Sequence, residues 1–281
     1  MKTIDTLVAD IQEVLLKGSQ LPQGGLPEKY GTLFANFLKT RYWPSEEKRK
    51  GALRMSNLGK PDRQLWYEVN MPEVAEPMPP GAFMKFAFGD VIELLLLFLA
   101  EAAGHKVEGT QDEQEINGVK GHRDAVIDGV VVDAKSASSY AFKKFAEGRL
   151  EQDDPFGYVD QIQSYLFAGQ TDPIVTNKEE AAFLVVDKQL GHICLDKHER
   201  KKIPYDKIVD HKRALVQQKD PPKRCFDPVP DGKSGNLALG VNCSYCGYKK
   251  TCWPGLRTFI YSTGPRYLVE VKNEPKVPEV R

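Results

Sequence analysis

A single Asp-Gly pair constrains the fold of this chain more than any other feature. Asp128-Gly129 lies between two runs of β-branched residues in the stretch GHRDAVIDGVVVDAKSAS, residues 121–138. Asp-Gly in that setting is the strongest short-range signal of a β-hairpin with a two-residue turn. Because the turn length sets the register, the sequence predicts that Asp124 lies directly opposite Asp133 on the neighbouring strand.

The facing aspartates lead to the first chemical hypothesis. Side chains alternate along a strand, so Asp124, Asp133 and Lys135 share one face, with His122 opposite Lys135. Two carboxylates opposite each other repel and destabilise the sheet. A divalent cation between them removes the repulsion, and Mg²⁺ is held by one or two carboxylates together with phosphate oxygens. Lys135 would then orient or deprotonate a water molecule, or stabilise developing negative charge.

The alternative to a metal site is a solvent-facing strand edge. There the acids are spaced by two because the polar face of a strand alternates, and a register slip of one residue removes the facing pair. From these residues alone, both interpretations stay open.

Composition and charge narrow the function classes. Of the 281 residues, 41% are hydrophobic and 28% charged, which favours a folded core over disorder. Lys+Arg and Asp+Glu each total 39, which excludes binding to nucleic acid by bulk charge alone. The charge is nevertheless segregated, with +5 over residues 39–63, −7 over 90–133 and +6 over 197–224. That order suits a cation-binding centre with a polyanion around it, although solvated helix faces give the same pattern.

Periodicity indicates a mixed α/β (α+β) chain of about two domains. The longest apolar run, Leu94 to Ala100, is far shorter than the ~20 residues of a spanning helix, so we expect no membrane segment and a cytoplasmic location. We expect an N-terminal helical and basic region (1–80), a central α/β core (81–200) and a basic, cysteine-containing region (201–281). Helices are predicted at 1–18, 30–42, 89–104 and 155–168, two strands within 115–135, and further strands at 181–187 and 191–196. Residues 71–81 are a proline-rich connection, and the chain beyond 196 is rich in proline and cysteine and shows little periodicity.

The cysteines are spaced like metal ligands. Cys243 and Cys246 are separated by two residues, Cys246 and Cys252 by five, and Cys225 lies eighteen positions before Cys243. In a reducing compartment this spacing favours ligation over disulfides. Four thiolates can hold Zn²⁺ or a [4Fe–4S] cluster, and spacing alone slightly favours zinc. Cys194, in an apolar strand, is most simply a buried small side chain.

Two helices carry further candidates. Asp90 and Glu93 lie on one helical stripe within a strongly apolar segment, where a carboxylate is costly to bury unless it is paired or binds metal. The alternative is the wet edge of a buried helix. Gln161 and Tyr165, at i and i+4, share a helix face that could hold a phosphate or an ordered water, or simply half-bury a tyrosine.

A basic and aromatic stretch gives candidate DNA contacts. It contains Arg49, Arg54, Lys60 and Arg63, followed by Trp66 and Tyr67. Basic side chains next to aromatic rings suit phosphates and stacked bases. The alternative is an ordinary solvated basic surface.

Together these residues resemble a known nuclease family. Asp124 followed by Asp133-Ala134-Lys135 resembles the motif of the PD-(D/E)XK nuclease superfamily, and Glu93 in Gly-Asp-Val-Ile-Glu resembles its helical glutamate. The run from Gln161 to Tyr165 resembles the Gln-x-x-x-Tyr motif of the RecB-like branch, and the cysteine cluster is similar to that of its iron–sulfur members. These include CRISPR-associated RecB-like nucleases, AddB-type helicase-nucleases and bacteriophage exonucleases. The match covers roughly residues 51 to 253.

The resemblance implies a restriction-endonuclease-like mixed sheet flanked by helices, and metal-dependent hydrolysis of DNA. One or two Mg²⁺ or Mn²⁺ ions would be held by Glu93, Asp124, Asp133 and the Ala134 carbonyl, with Lys135 acting on the attacking water. Asp90 is the alternative to Glu93 as the metal-binding acid of this helix. Catalytic roles extend by resemblance to Gln161 and Tyr165.

The resemblance also shifts the expected occupant of the cysteines from zinc to [4Fe–4S]. Many relatives place their first ligand in a segment comparable to Ser56–Arg63, which has no cysteine here. We therefore expect Cys225 to be the substitute ligand beside Cys243, Cys246 and Cys252. The cluster would attach the C-terminal segment to the core.

The expected function is a DNA exonuclease acting on linear or single-stranded ends, in phage recombination or DNA degradation, in the host cytoplasm if phage-encoded. A single-strand annealing or helicase protein would be its partner, as a separate chain, because no Gly-rich phosphate loop is present. One alternative is a restriction-type or structure-specific endonuclease of the same fold. A second is a non-catalytic DNA-binding module with a cysteine cluster.

Overall fold

The computed structural model describes residues 2–43 and 51–280, which divide into two units. The first unit comprises residues 2–43, 54–59 and 79–210, and the second comprises 51–53, 60–78 and 211–280. Arg49 lies outside the described residues. The predicted division into 1–80, 81–200 and 201–281 stays a prediction. The units cut the chain differently, because the first joins the N-terminal helices to the residues that follow 79.

The described elements begin with four α-helices, after which strands and helices follow in runs. The helices are α1 (Leu7–Lys17), α2 (Leu26–Tyr42), α3 (Asp62–Asn70), α4 (Pro80–Ala102), α5 (Ser139–Ala146), α6 (Tyr158–Ala168), α7 (Tyr205–Val216), α8 (Val241–Ser244) and α9 (Lys249–Cys252). The strands are β1 (Val107–Glu108), β2 (Glu113–Ile116), β3 (Val119–His122), β4 (Ala125–Ile127), β5 (Val130–Ala137), β6 (Glu180–Asp187), β7 (Ile193–Glu199), β8 (Val229–Pro230), β9 (Leu237–Ala238), β10 (Arg257–Tyr261), β11 (Gly264–Glu270) and β12 (Glu279–Val280). None of these helices is long and apolar enough to cross a membrane.

The first unit is built on a five-stranded mixed sheet with the order β1-β4-β5-β6-β7. Only β5 and β6 are parallel. Leu7 and Ile11 of α1 and Leu97 of α4 pack with Val132 and Leu184 of the sheet in one buried cluster. Phe183, which alternation directs to the other face, contacts a phenylalanine of α5. A mixed sheet flanked by helices, the predicted fold class, is therefore confirmed.

The Asp-Gly hairpin forms with the predicted register. Ala125 pairs with Val132, and the pairing continues to a turn at Asp128-Gly129, where φ is 50° and 84°. Positive φ at both central residues is the signature of a type I′ turn, which matches the twist of the strands.

The register prediction fails beyond Ala125. The ladder between β4 and β5 ends there, so Asp124 and Asp133 are not a ladder pair, and β3 pairs with β2 in a separate two-stranded sheet. The predicted pairing of His122 with Lys135 is therefore wrong. The physical reason is the residue between the strands: the buried Arg123, whose guanidinium bonds acids outside the hairpin, so the chain bends at that point.

The second unit has its own small core. Leu65, Trp66 and Tyr67 of α3 pack with Leu215 of α7 and with Tyr248. A five-stranded antiparallel sheet, in the order β12-β10-β11-β9-β8, lies in the C-terminal part. The region beyond 196 therefore contains regular structure although its sequence shows little periodicity.

Candidate active site

Asp133 on β5 is the centre of the candidate site. Its residue surface is only 3% exposed. Its Oδ2 atom forms an ion pair with Lys135 Nζ at 2.5 Å. A buried carboxylate requires such a partner, because burial of an unpaired charge is costly. Lys135 therefore balances one carboxylate charge at this point.

Asp124 lies beside Asp133 although the ladder has ended. Its Oδ2 accepts a hydrogen bond from the backbone N–H of Ala134, at 2.8 Å. Burial, followed by the charges of Asp133 and Glu93, raises the pKa of Asp124 well above its usual value. Three carboxylates are thus held near one another, which folding tolerates only if protons or a cation neutralise part of the charge.

Glu93 joins the cluster from α4. Gln111 connects the two acids, since its side-chain amide donates to Glu93 Oε1 at 2.6 Å and its backbone N–H to the Asp124 carbonyl at 3.2 Å. Burial raises the pKa of Glu93 to about 7, with Asp133 and Asp90 acting in the same direction. The rival Asp90 is instead ion-paired with Arg41. The geometry favours Glu93 over Asp90 as the third acid.

Lys135 is held between an acid and an aromatic ring. Its Nζ lies 5.0 Å from the centre of the ring of Tyr158, which is the first residue of α6. Burial alone would lower the pKa of Lys135, but the charges of Asp133 and Asp124 raise it above its usual value. Tyr158 was not among the sequence candidates. Its spacing of three residues from Gln161 and seven from Tyr165 places all three on one helix face, a signal that could have identified it.

Tyr165 is buried on the same side of the sheet as the acids. Burial raises its pKa, and Asp133 and Asp124 add to the shift, while a hydrogen bond from Gln161 opposes it. The Tyr165 hydroxyl lies 2.8 Å from the position that a Cβ on Gly121 would occupy, so a glycine is required there. The structure thus brings together Glu93, Asp124, Asp133, Lys135, Gln161 and Tyr165.

The donor set suits a hard divalent cation. Carboxylate and carbonyl oxygens are the preferred ligands of Mg²⁺ and Mn²⁺, and Glu93, Asp124 and Asp133 supply carboxylate oxygens here. In residues 2–43 and 51–280 no three His, Cys, Asp or Glu side chains already lie close enough together to form a finished metal site. The fit therefore rests on the chemistry of the donors and on the charge that Lys135 alone leaves unbalanced.

The four candidate cysteine ligands all lie in the second unit. Burial raises the pKa of Cys243 to about 11, and Cys246, Cys252 and Cys225 each add to that shift, so the four sulfurs are electrostatic neighbours. Cys225 is exposed and the other three are half-buried. Four thiols in one neighbourhood suit either [4Fe–4S] or Zn²⁺. The fifth cysteine, Cys194 on β7, is half-buried in the first unit.

The candidate DNA contacts differ in their availability. Arg54 is exposed. Lys60 forms an ion pair with Glu68 at 2.7 Å, and Arg63 donates to the carbonyl of Pro222. Their role toward DNA stays a prediction.

The aromatic residues of that stretch serve the core. Trp66 and Tyr67 are each 5% exposed, and the Tyr67 ring stacks on Tyr248 with centres 5.3 Å apart. In this structure both rings therefore pack in the core of the second unit and are not offered to bases.

Comparison with known proteins adds distant similarities. No protein-family model and no curated protein sequence matches the chain. Among solved structures it is similar to SSO0001, with a TM-score of 0.44 and 17% identity, covering 80% of this chain and 96% of that one. It is also similar to an alkaline exonuclease (LHK-Exo) from Laribacter hongkongensis, with a TM-score of 0.41 and 14% identity over 60% of this chain and 87% of that one. A third similar structure is a phage-related exonuclease from Haemophilus somnus 129PT. Its TM-score is 0.32 and its sequence identity 11%, and the match covers 75% of this chain and 90% of that one. At these TM-scores the similarities carry no conclusion about activity.

Proposed function

We propose that the chain is a metal-dependent deoxyribonuclease that hydrolyses phosphodiester bonds from DNA ends. The support is the cluster of Glu93, Asp124, Asp133 and Lys135, and one observation above all: the three carboxylates act on one another electrostatically beside the ammonium of Lys135. One ammonium balances one carboxylate, and the remaining charge is costly to bury unless protons or a further cation neutralise it. Action from ends rests on the sequence resemblance, with a restriction-type or structure-specific endonuclease as its alternative.

In this proposal Glu93, Asp124, Asp133 and the carbonyl of Ala134 would hold one or two Mg²⁺ or Mn²⁺ ions. When bound, the metal supplies positive charge at the scissile phosphate and makes water a stronger nucleophile. The raised pKa values of Glu93 and Asp124 agree with this role, because both acids lack a compensating positive charge beyond Lys135. The non-catalytic alternative is disfavoured, since the full set of acids and the lysine are close together.

The chain's own cation completes the site. Lys135, held between Asp133 and the ring of Tyr158, would orient the attacking water and stabilise negative charge that develops on the phosphate. Gln161 and Tyr165 would hold a phosphate oxygen or the attacking water in place. Exposed Arg54, and Lys60 and Arg63 after exchange of their present partners, would contact the DNA backbone.

The same proposal includes a structural cofactor and partners. Cys225, Cys243, Cys246 and Cys252 would hold a [4Fe–4S] cluster, or Zn²⁺, that stabilises the second unit. A cytoplasmic location and a helicase or single-strand annealing protein as partner belong to the proposal as well.

Digestion of end-labelled DNA tests the proposal. Linear and circular templates are incubated with Mg²⁺, with Mn²⁺ or with a chelator, and we expect degradation of the linear template only when metal is present. Asp133→Asn and Lys135→Ala should each reduce cleavage by at least about 100-fold, as is typical of losing a group that acts on the transition state. Lys120→Ala, which removes an exposed lysine paired with Glu113, is the matched control and should be fully active.

Each outcome of this experiment is informative. Full activity of Asp133→Asn refutes the site, and cleavage of circular DNA at the same rate replaces the exonuclease with the endonuclease. DNA binding without cleavage under any metal condition favours the non-catalytic module.

A further inference from the structure

The N-terminal half of α4 presents aromatic side chains to solvent. Phe83, Phe86 and Phe88 are each 52% exposed, an unusual density of bare rings on one short stretch. Beside them lies a depression of about 380 Å³, which we call the α4 cleft; it is lined by Lys85, Phe88, Val91, Ile92 and Lys188. Its volume falls within the ~300–1,000 Å³ range of ligand pockets.

The lining of the α4 cleft combines aromatic and apolar surface with two lysines and has no acidic residue. Lysine is depleted at protein–protein interfaces, which argues against a protein partner. Sites for single-stranded nucleic acid have this composition, since a ring stacks on a base while cations contact the flanking phosphates. The nearest acid on α4, Asp90, is neutralised by its ion pair with Arg41.

The α4 cleft is also close to the candidate active site along the chain. Phe88 precedes Glu93 by five residues on α4, an axial rise of about 7.5 Å, or roughly two nucleotide steps of 3.4 Å. A Cβ on Gly89 would lie 4.0 Å from Ser136 Oγ, so this part of α4 lies against β5, the strand that carries Asp133 and Lys135.

We infer that the α4 cleft is a subsite for single-stranded DNA, in which Phe88 stacks on an unpaired base while Lys85 and Lys188 contact its phosphates. The inference rests on the proposed function and adds to it a strand preference. Duplex bases are already stacked on their neighbours, so the ring can engage only an unpaired base. The protein should therefore bind single strands more tightly than duplex of the same length.

Binding of a fluorescent dT oligonucleotide, measured by anisotropy without added divalent metal, tests the inference on the full chain. Phe88→Leu should weaken binding roughly tenfold, the scale of one lost base stack. Phe88→Trp should restore wild-type affinity, because it keeps an aromatic face. Lys188→Ala should make the slope of log affinity against log salt concentration shallower by about one, because one fewer counterion is released. The matched control is Phe86→Leu, an equally exposed ring about 160° around the helix, which should bind as wild type.

Failure of this inference differs from failure of the proposed function. If the protein cleaves DNA but Phe88→Leu and Phe86→Leu bind the oligonucleotide alike, the subsite is refuted while the nuclease stands. If Phe88→Leu loses binding but not even the wild type cleaves DNA, the subsite is supported and the nuclease proposal is refuted. Sedimentation gives the remaining outcome: a wild-type oligomer that Phe88→Leu dissociates, with DNA binding unchanged, makes the cleft a protein interface and refutes the inference.

Discussion

Glu93 is an acid whose ionisation opposes folding when no metal is bound. Burial, with the nearby charges of Asp133 and Asp90, raises its pKa to about 7 from 4.5. Between these values the folded protein still carries the proton on Glu93, whereas the unfolded chain has released it. The native state then binds more protons than the unfolded state, so the free energy of unfolding falls as the pH rises through this window.

Glu93→Gln should remove the fall in the free energy of unfolding that the ionisation of Glu93 causes. In a chelator, the wild-type free energy of unfolding should fall between pH 5 and pH 8 by up to ~3 kcal/mol more than that of the variant. Urea denaturation at several pH values measures the difference, and added Mg²⁺ or Mn²⁺ should reduce it, because a bound cation favours the ionised carboxyl. The exposed Glu13→Gln serves as control. Parallel pH curves for wild type and Glu93→Gln would contradict the prediction.

The ring face of Tyr158 lies against the ammonium of Lys135. A cation–π contact contributes about 0.5–2 kcal/mol. Tyr158→Leu should therefore lower kcat several-fold and change KM less, since the ammonium loses its fixed position, whereas Tyr158→Phe should keep most of kcat. Steady-state cleavage of a labelled oligonucleotide measures both constants. Equal losses in the two variants would show that the hydroxyl, or simple packing, is what matters.

The residues of the site were predictable to the extent that their chemistry is local. Two acids and a lysine at strand spacing can be read from one short stretch, and Gln161 and Tyr165 from one helix. Gln111 could not be found in this way. It lies in a connection between strands, and its hydrogen bond to Glu93 exists only because the fold brings β1 and α4 together.

At the level of elements, the hairpin was predictable because its turn is determined by adjacent residues. The point at which the ladder between β4 and β5 stops was not predictable. The bend at Arg123 depends on its ion pairs with Asp112 and Asp172, which are distant in sequence. The start of α4 was missed for a related reason. Pro80 is its first residue, a position that suits proline, whereas the run of prolines before it indicated only a connection.

The turn itself can be tested by comparing two glycines. Gly129 (φ 84°) and Gly191 (φ 75°) both have positive φ, but a Cβ on Gly129 would lie 1.9 Å from Thr176 Oγ1, whereas one on Gly191 meets nothing within 4 Å. Gly191→Ala should cost about 1–2 kcal/mol of stability, the penalty for a left-handed residue. Gly129→Ala should cost at least ~2 kcal/mol more, because of overpacking. Urea denaturation of both variants measures this, and equal losses would show that Thr176 moves aside freely.

At the scale of the whole molecule, the second unit was the part least accessible to sequence reasoning. Several of its strands are only two residues long, and β9 pairs with β11, where Ala238 lies opposite Leu268. Such strands have no readable period, because their stability comes from partners distant in sequence. What could be predicted was the spacing of the cysteines, since ligand spacing is a local property of the chain.

The stability of the second unit should depend on what those cysteines hold. Burial and the neighbouring sulfurs raise the pKa of Cys243 to about 11, so without a metal this thiol stays protonated and offers the unit no cross-link. Metal binding deprotonates the ligand thiols and contributes its free energy to folding. The chain purified without oxygen should contain iron and absorb visible light, or contain zinc and not absorb.

Cys243→Ser should abolish the bound metal, lower the Tm by ~10 °C or more, and speed amide hydrogen exchange across residues 241–252. Cys194→Ser is the matched control, because that thiol lies on β7 of the first unit, and it should leave metal content and Tm nearly unchanged. Elemental analysis, a visible spectrum and thermal denaturation give the readouts. If wild type contains neither iron nor zinc, or if both serine variants keep equal metal, the four cysteines do not act as ligands, and the second unit is stable through its own sheet and the packing around Tyr248.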